Sequence, residues 1–357
     1  MLVHICCSVD SHYFLERIQE EYPDETLVGY FYDPNIHPFA EYQLRYKDVA
    51  YSCKKLNIEL LEGPYNLEAW LKKVSGMELL PEKGDRCTVC YDDRLENTVQ
   101  KAVELGHDKF TSTLLISPKK SQDKLKIIGE RLTEEYKCEF IFKDYRAGQG
   151  QVLQGIRVKE HSLYRQNYCG CLFGLSPQRE SQDKLMDEMI NPISNQILPE
   201  SIESRLELYH RRDELEEKDI PYKVIKQKFL NYRLLSALVK VNKIAVPSYF
   251  LCYSISSRKK YSGRIEYERG DIAYLNKEET KIIPIEIFND IAGTNYDNVK
   301  ALMYGPPTFQ AELNARNKIT KNPYGLSPII IVDSLSEDKY EIELNAKIYE
   351  DVKEDII

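Results

Sequence analysis

Across its first 180 residues the chain alternates short apolar runs with amphipathic segments, and this rhythm restricts the fold more than any other feature. "MLVHIC" reads as a buried strand, followed by a helix over about residues 11–22. "TLVGYFYDP" is a second strand, and "FAEYQLRYKDVAYSCKKLN" has its apolar residues at helical spacing. "IELLEGP" reads as a strand, "NLEAWLKKV" as a helix, and "YDDRLENTVQKAVELG" as a helix with an acidic first turn and a closing glycine. "KFTSTLL", a helix from about Ser121, "CEFIFKD" and a helix after Gly150 continue the pattern. Such alternation predicts an α/β fold, a doubly wound and mostly parallel sheet with helical crossovers.

In open parallel sheets, sites form beyond the carboxyl ends of the strands. Cys6 and Cys7 end the first strand, "DPNIHP" (33–38) follows the second, and "TSTLLISP" (111–118) and "DYRAGQG" (144–150) follow later ones. Four loops are therefore expected on one face.

The cysteines suggest what that face does. Of nine, Cys53, Cys138 and Cys252 stand alone in apolar or amphipathic stretches and read as small buried hydrophobes. Six come in close pairs, Cys6 with Cys7, Cys87 with Cys90, and Cys169 with Cys171. Disulfides are uncommon in a reducing cytosol, so pairing of this kind points to metal or redox chemistry. Six thiolates exceed the four of a zinc site or of one iron–sulfur cluster. Three readings are open: a cluster with two reactive thiols, a cluster with a second metal, or two zinc sites sharing ligands. Asp10 is either a cap of the following helix or an oxygen donor to a harder metal. Gly170, between two thiols, fits a tight turn that points both at one centre.

No apolar run approaches the 18 or so residues needed to span a membrane, and no basic region precedes a long apolar stretch. A cytoplasmic protein is expected. The net charge of −8 conceals a basic stretch, since 221–260 holds nine Lys or Arg and no acid, leaving −17 elsewhere. From Ser201 the character changes, so the expected division is a catalytic domain over 1–200 and a C-terminal α+β module over 201–357. The segment 221–260 is read as basic and helical. Its Lys223, Lys226, Lys228, Arg233, Lys240 and Lys243, interleaved with Tyr222, Phe229 and Tyr232, are candidate contacts to nucleic-acid phosphates and bases.

Two resemblances follow from the motifs. The strand followed by "SVDS" resembles the Ser-Gly-Gly-x-Asp-Ser loop of PP-loop ATP pyrophosphatases, implying a PP-loop/HUP-like variant of the Rossmann sheet. Here "CCS" replaces the serine and both glycines, so the phosphate cradle is lost and an ATP site is not expected. More specifically, "HICC", "FYDPNIHPFAEYQLR", "RCTVCYDDRLENT", "FTSTLLISPKKSQDKLKIIGE" and "YRQNYCGCLFG", in order through 1–180, resemble the cobalamin-independent epoxyqueuosine reductases, the QueH family.

The resemblance implies reduction of epoxyqueuosine, at the tRNA wobble position, to queuosine. It also implies a four-iron, four-sulfur cluster with an adjacent mononuclear metal, an iron ion, and an external electron donor. The six paired cysteines match those of the family. Cys7, Cys87, Cys90 and Cys169 are assigned to the cluster, and Cys6, Cys171 and Asp10 to the second metal and the chemistry there. Asn35, Tyr164, Arg165 and Gln166 are candidate substrate contacts, as is Asp33, although Asp33 and Asn35 also read as an Asp-Pro-Asn turn. His37 is a candidate proton donor, His4 is read as structural, and the basic residues of 221–260 become candidate tRNA contacts. Two other readings stay open: an iron–sulfur tRNA sulfur-transfer enzyme, and a zinc-stabilised RNA-binding module.

Overall fold

The computed structural model describes residues 1–118, 120–322 and 324–357, and divides into two units. Unit 1 comprises 1–190, 205–224 and 356–357; unit 2 comprises 191–204 and 225–355.

Unit 1 is built on β1 (Leu2–Ile5), β2 (Val28–Phe31), β3 (Glu59–Glu62), β4 (Lys109–Ser112) and β5 (Glu139–Phe140). They form one parallel sheet in the order β3-β2-β1-β4-β5. β1 is central, with Leu2 opposite Val28 on one side and Phe110 on the other. It is buried along its whole length, as a strand covered on both faces must be. The helices are α1 (Ser8–Glu21), α2 (Phe39–Lys55), α3 (Leu67–Lys73), α4 (Asp85–Glu104), α5 (Gln122–Tyr136), α6 (Gly150–Glu160), α7 (Leu172–Ser181) and α8 (Ile202–Glu217). α1 packs with α2 and α6, and α4 with α5. The expected α/β architecture is present.

α8 departs from the expected division at 200/201. From Arg205 onward it belongs to unit 1. Arg212 is the reason: it is fully buried, ion-paired with Asp48 of α2, with its guanidinium 3.7 Å from the centre of the Tyr51 ring. Lys47 with Asp213 (2.6 Å) and Tyr51 with Glu216 (2.7 Å) extend the same seam.

In unit 2 the segment read as a basic helix is a β-strand, which corrects that expectation. β6 (Val224–Val241) is followed by β7 (Ile244–Val246), β8 (Ser248–Phe250), β9 (Lys260–Gly263), β10 (Ile265–Arg269), β11 (Ile272–Leu275), β12 (Lys281–Pro284), α9 (Ile285–Ala292), α10 (Val299–Tyr304), α11 (Phe309–Thr320), β13 (Ile329–Val332) and β14 (Tyr340–Ile356). One sheet runs β10-β11-β12-β13-β8 and the other β7-β6-β14-β9. β12 and β13 are parallel, with α9 to α11 as their crossover; the other pairs of the five-stranded sheet are antiparallel. No helix among the described residues is long and apolar enough to cross a membrane.

Candidate functional site

β1 ends at Ile5 and α1 begins at Ser8, so Cys6 and Cys7 occupy the strand-to-helix turn at the carboxyl edge of the sheet. Both thiols are buried, with sulfurs 3.7 Å apart. Asp10 lies in the first turn of α1 and is not its cap; that position falls to Cys7, whose side chain makes no capping bond. The Asp10 carboxylate lies 4.0 Å from Cys6 Sγ, and ligand atoms of Cys6, Cys7 and Asp10 all fall within 4.8 Å of one another. Burial, with the Cys6 charge, pushes the Asp10 carboxyl up to about 7. Gln154 of α6 donates to Asp10 Oδ1 (2.9 Å) and to the Val9 carbonyl (3.0 Å).

The other four thiols gather separately. α4 starts at Asp85, two residues before Cys87, so Cys87 and Cys90 lie three apart in a helix and share a face. Cys171 sits at the N-cap of α7, with Cys169 two residues before it. Cys87, Cys90, Cys169 and Cys171 line one small cavity with Asn35, Trp70, Arg86, Arg94 and Lys120. This grouping differs from the partition drawn from the sequence: Cys7 stays with its neighbour Cys6 and with Asp10, while Cys171 joins Cys87, Cys90 and Cys169. The reason is packing: Cys169 and Cys171 close against Trp70 of α3 and Cys90 of α4, while Cys7 stays beside Cys6 and Asp10.

Gly170 makes the second doublet possible. Its φ is +94°, and a Cβ there would meet Ile36 Cγ1 at 2.8 Å. The loop is held by His37, whose backbone N–H donates to the Gly170 carbonyl (2.9 Å) and whose carbonyl accepts from Tyr168 Oη (2.7 Å). Gly170→Ala is expected to cost roughly 1–3 kcal/mol in strain. It should lower both the thermal midpoint and the metal retained by the anaerobically purified chain; unchanged values of both would contradict this placement.

Two of the three doublets hold one thiol ready to ionise, while burial raises Cys90 in the third. The Cys7 thiol, with help from Arg94, holds Cys6 well below the usual range, while Cys7 itself is raised by Cys6 and by burial. Cys169 is lowered by the Cys171 thiol and by Lys120, and Cys171 is raised by Cys169 and by burial. A thiolate is the form that binds metal.

A larger cavity of about 220 Å³ opens beside these groups, lined by Cys6, Asp10, Arg45, Gln154, Arg165 and Gln166 among others. Arg94, Lys120 and Cys169 line both cavities and so form a shared wall. Arg94 is ion-paired with buried Asp33, and Arg45 with Glu41 at 2.7 Å.

Of the substrate candidates, Arg165 and Gln166 line the larger cavity, and Asn35 lines the cysteine cavity. Tyr164 lines neither. Its hydroxyl donates to Glu41 (2.9 Å) and its backbone N–H to Asp48 (2.8 Å), so it is a buried structural residue and that assignment is corrected. His4 is structural as expected, bridging Ser112 Oγ (2.8 Å) and the Tyr32 carbonyl (3.1 Å). Arg233 is also corrected: it is 2% exposed and donates to Asn231 (2.6 Å) and the Pro199 carbonyl (2.8 Å), which leaves no face for a phosphate. Lys228 and Lys226 stand 2.8 and 3.8 Å from Glu350 and Glu354, which offset their charge locally. Arg94, Lys120 and Gln154 were not singled out from the sequence, where nothing distinguishes them from other polar helix and loop residues.

The cysteine cavity fits an inorganic group. Trp70 Nε1, Arg86 Nε and Asn35 Oδ1 are buried there without hydrogen-bond partners among the described residues. Each such atom costs roughly 1–3 kcal/mol unless something pairs with it. Four thiols beside two spare N–H donors suit a group that is held by sulfur and itself carries acceptors.

Comparison with known proteins agrees with this chemistry. The family model described as epoxyqueuosine reductase QueH matches residues 1–177. An epoxyqueuosine reductase QueH of Helicobacter pylori is 39% identical, the match covering 98% of this chain and 98% of that protein. One from Thermotoga maritima is 35% identical over 52% of this chain and 95% of its own length. One from Streptococcus pyogenes is 36% identical over 50% of this chain and 71% of its own. The family model ends before unit 2 begins, and the cysteines and both cavities lie in unit 1. On the strength of a match running nearly end to end, the chain belongs to the QueH family of epoxyqueuosine reductases.

Proposed function

We propose that the chain reduces the epoxide of epoxyqueuosine in tRNA to the alkene of queuosine, through the two cavities of unit 1. The observation carrying this reading is their shared wall of Arg94, Lys120 and Cys169, which sets a substrate-sized space against a cysteine-lined one. The reaction takes up two electrons and two protons, breaks both C–O bonds and leaves an alkene and water. In this reading Cys87, Cys90, Cys169 and Cys171 hold a four-iron, four-sulfur cluster, and Cys6, Cys7 and Asp10 hold a second metal, iron by family resemblance. When bound, these groups supply electrons singly and a Lewis acid for the departing oxygen.

The chain's own residues do the rest. The cations of Arg94, Arg45 and Lys120 face the larger cavity, where negative charge on oxygen is worth more to stabilise than in water. Lys120 stays protonated: burial lowers its pKa, but the charges of Cys169 and Tyr91 outweigh this and raise it. Its ammonium is therefore a standing N–H donor. Arg165 and Gln166, next to the Cys-Gly-Cys turn, contact the nucleoside, with the wobble base swung out of its stack to enter. Gln154 orients Asp10 toward the metal. Lys223, Lys240 and Lys243 are proposed as phosphate contacts, each contributing to a salt-dependent affinity for tRNA. The parallel order β3-β2-β1-β4-β5 supports placing unit 1 among the PP-loop/HUP-like sheets.

Anaerobic purification should yield iron and sulfide, and the protein should convert epoxyqueuosine-tRNA with a chemical reductant and no ATP. Zinc alone, or a strict need for ATP, would refute the reading. Gln154→Ala is expected to weaken the second metal about 10–100-fold, measured as iron retained against a graded chelator with cluster sulfide unchanged; equal retention would remove Gln154 from this role.

A further inference from the structure

We infer that Trp70 donates its indole N–H to a sulfur of the cluster held by Cys87, Cys90, Cys169 and Cys171, and thereby raises that cluster's reduction potential. This rests on the cofactor assignment above and deepens it. Trp70 is 2% exposed and packs with Cys90, Cys171, Cys169 and Phe173. It lines the cysteine cavity, and its Nε1 is buried with no acceptor among the described residues. The ring is held by its neighbours: Phe173 stacks at 6.1 Å and 24°, and Arg86 lies 5.6 Å from the centre of the Phe173 ring on the cavity wall. Arg86 is itself immobilised through Nη1, which donates to the carbonyls of Met77 (2.9 Å), Glu78 (2.8 Å) and Leu80 (2.6 Å). An indole in a packed apolar wall normally finds a partner for its N–H. The chemistry that fits this cavity, sulfur of a thiolate or sulfide, is such an acceptor. One N–H···S contact is already present at its rim, from Lys83 N to Cys87 Sγ at 3.2 Å.

A donor to cluster sulfur favours the reduced state, which carries one more negative charge. Removing the N–H while keeping the ring should therefore lower the potential. Trp70 is the chain's single tryptophan, so global replacement by 3-benzothienylalanine, which has sulfur in place of N–H, changes this position alone. Trp70→Phe is the second variant. The full-length chain, purified without oxygen and assayed first for iron and sulfide, would be titrated with dithionite and followed by electron paramagnetic resonance. At a fixed potential the oxidised-to-reduced ratio is expected to rise about tenfold in both variants, equivalent to ~59 mV for a one-electron couple. An unchanged potential with full cluster content overturns the inference. A wild-type potential in the benzothienyl protein with a shift or cluster loss in Trp70→Phe alone also overturns it, since that would make Trp70 a packing residue only. A wild-type chain without iron and sulfide instead refutes the cofactor assignment, and the inference falls with it.

Discussion

Serine in place of Cys87, Cys90, Cys169 or Cys171 is expected to cut turnover by more than about 100-fold, beyond the roughly 10–100-fold typical of losing only an outer partner of a metal site. Iron and sulfide should fall together, because all four thiols line one cavity. Serine at Cys6 or Cys7 should behave differently, removing iron without the matching sulfide, since these thiols are grouped with Asp10. Alanine at Cys53, Cys138 or Cys252, buried away from both cavities, serves as the control and should leave iron content unaltered. Full turnover and iron content in a single Cys→Ser variant of the first set would refute the proposed ligand set.

The second large effect concerns stability. Arg212→Met is expected to destabilise unit 1 by about 3–5 kcal/mol, because it strands a buried charge. Asp48 is fully buried and accepts from Arg212, from Ser8 Oγ and from the Tyr164 backbone N–H. Without the guanidinium the carboxylate keeps only neutral donors. The urea midpoint should drop by at least about 1 M, given slopes of roughly 1–3 kcal/mol per M. Adding Asp48→Leu should restore part of the loss: an apolar pair often replaces a buried ion pair without penalty, but Ser8 Oγ and the Tyr164 N–H lose their acceptor. No recovery would mean that the contribution lies in packing against Tyr51 and Tyr209, over which the guanidinium sits at 3.7 and 4.9 Å. Ser8 follows Cys7 directly, so loosening this network should also reduce metal retention.

The parallel sheet was legible because β1 and β2 are short, buried on both faces and followed by helices with clear apolar spacing. That placed Cys6 and Cys7, with three following loops, at the carboxyl edge of the sheet without any tertiary information. The grouping of the three thiol doublets was not legible. It depends on α4 beginning before Cys87 and on Cys169 and Cys171 closing against α3, and neither packing relation has a local signature. The basic stretch was misread for a related reason. "KVIKQKFLNYRLLSALVKV" lacks strict alternation; its buried residues include the consecutive Asn231, Tyr232 and Arg233, and β6 is held by β14, about a hundred residues onward. Periodicity reports which face is apolar, not which distant segment supplies the ladder. Gln154 and Arg94 escaped notice because a polar residue on an amphipathic helix looks the same whether it faces solvent or a ligand.

The solitary indole against the cysteine wall also makes the protein its own optical gauge. Iron–sulfur chromophores absorb broadly where indole emits, so assembly of the proposed cluster should darken the intrinsic fluorescence, and air oxidation should bring it back in step with iron release. Biogenesis and decay could then be followed in real time, in dilute solution and without a label.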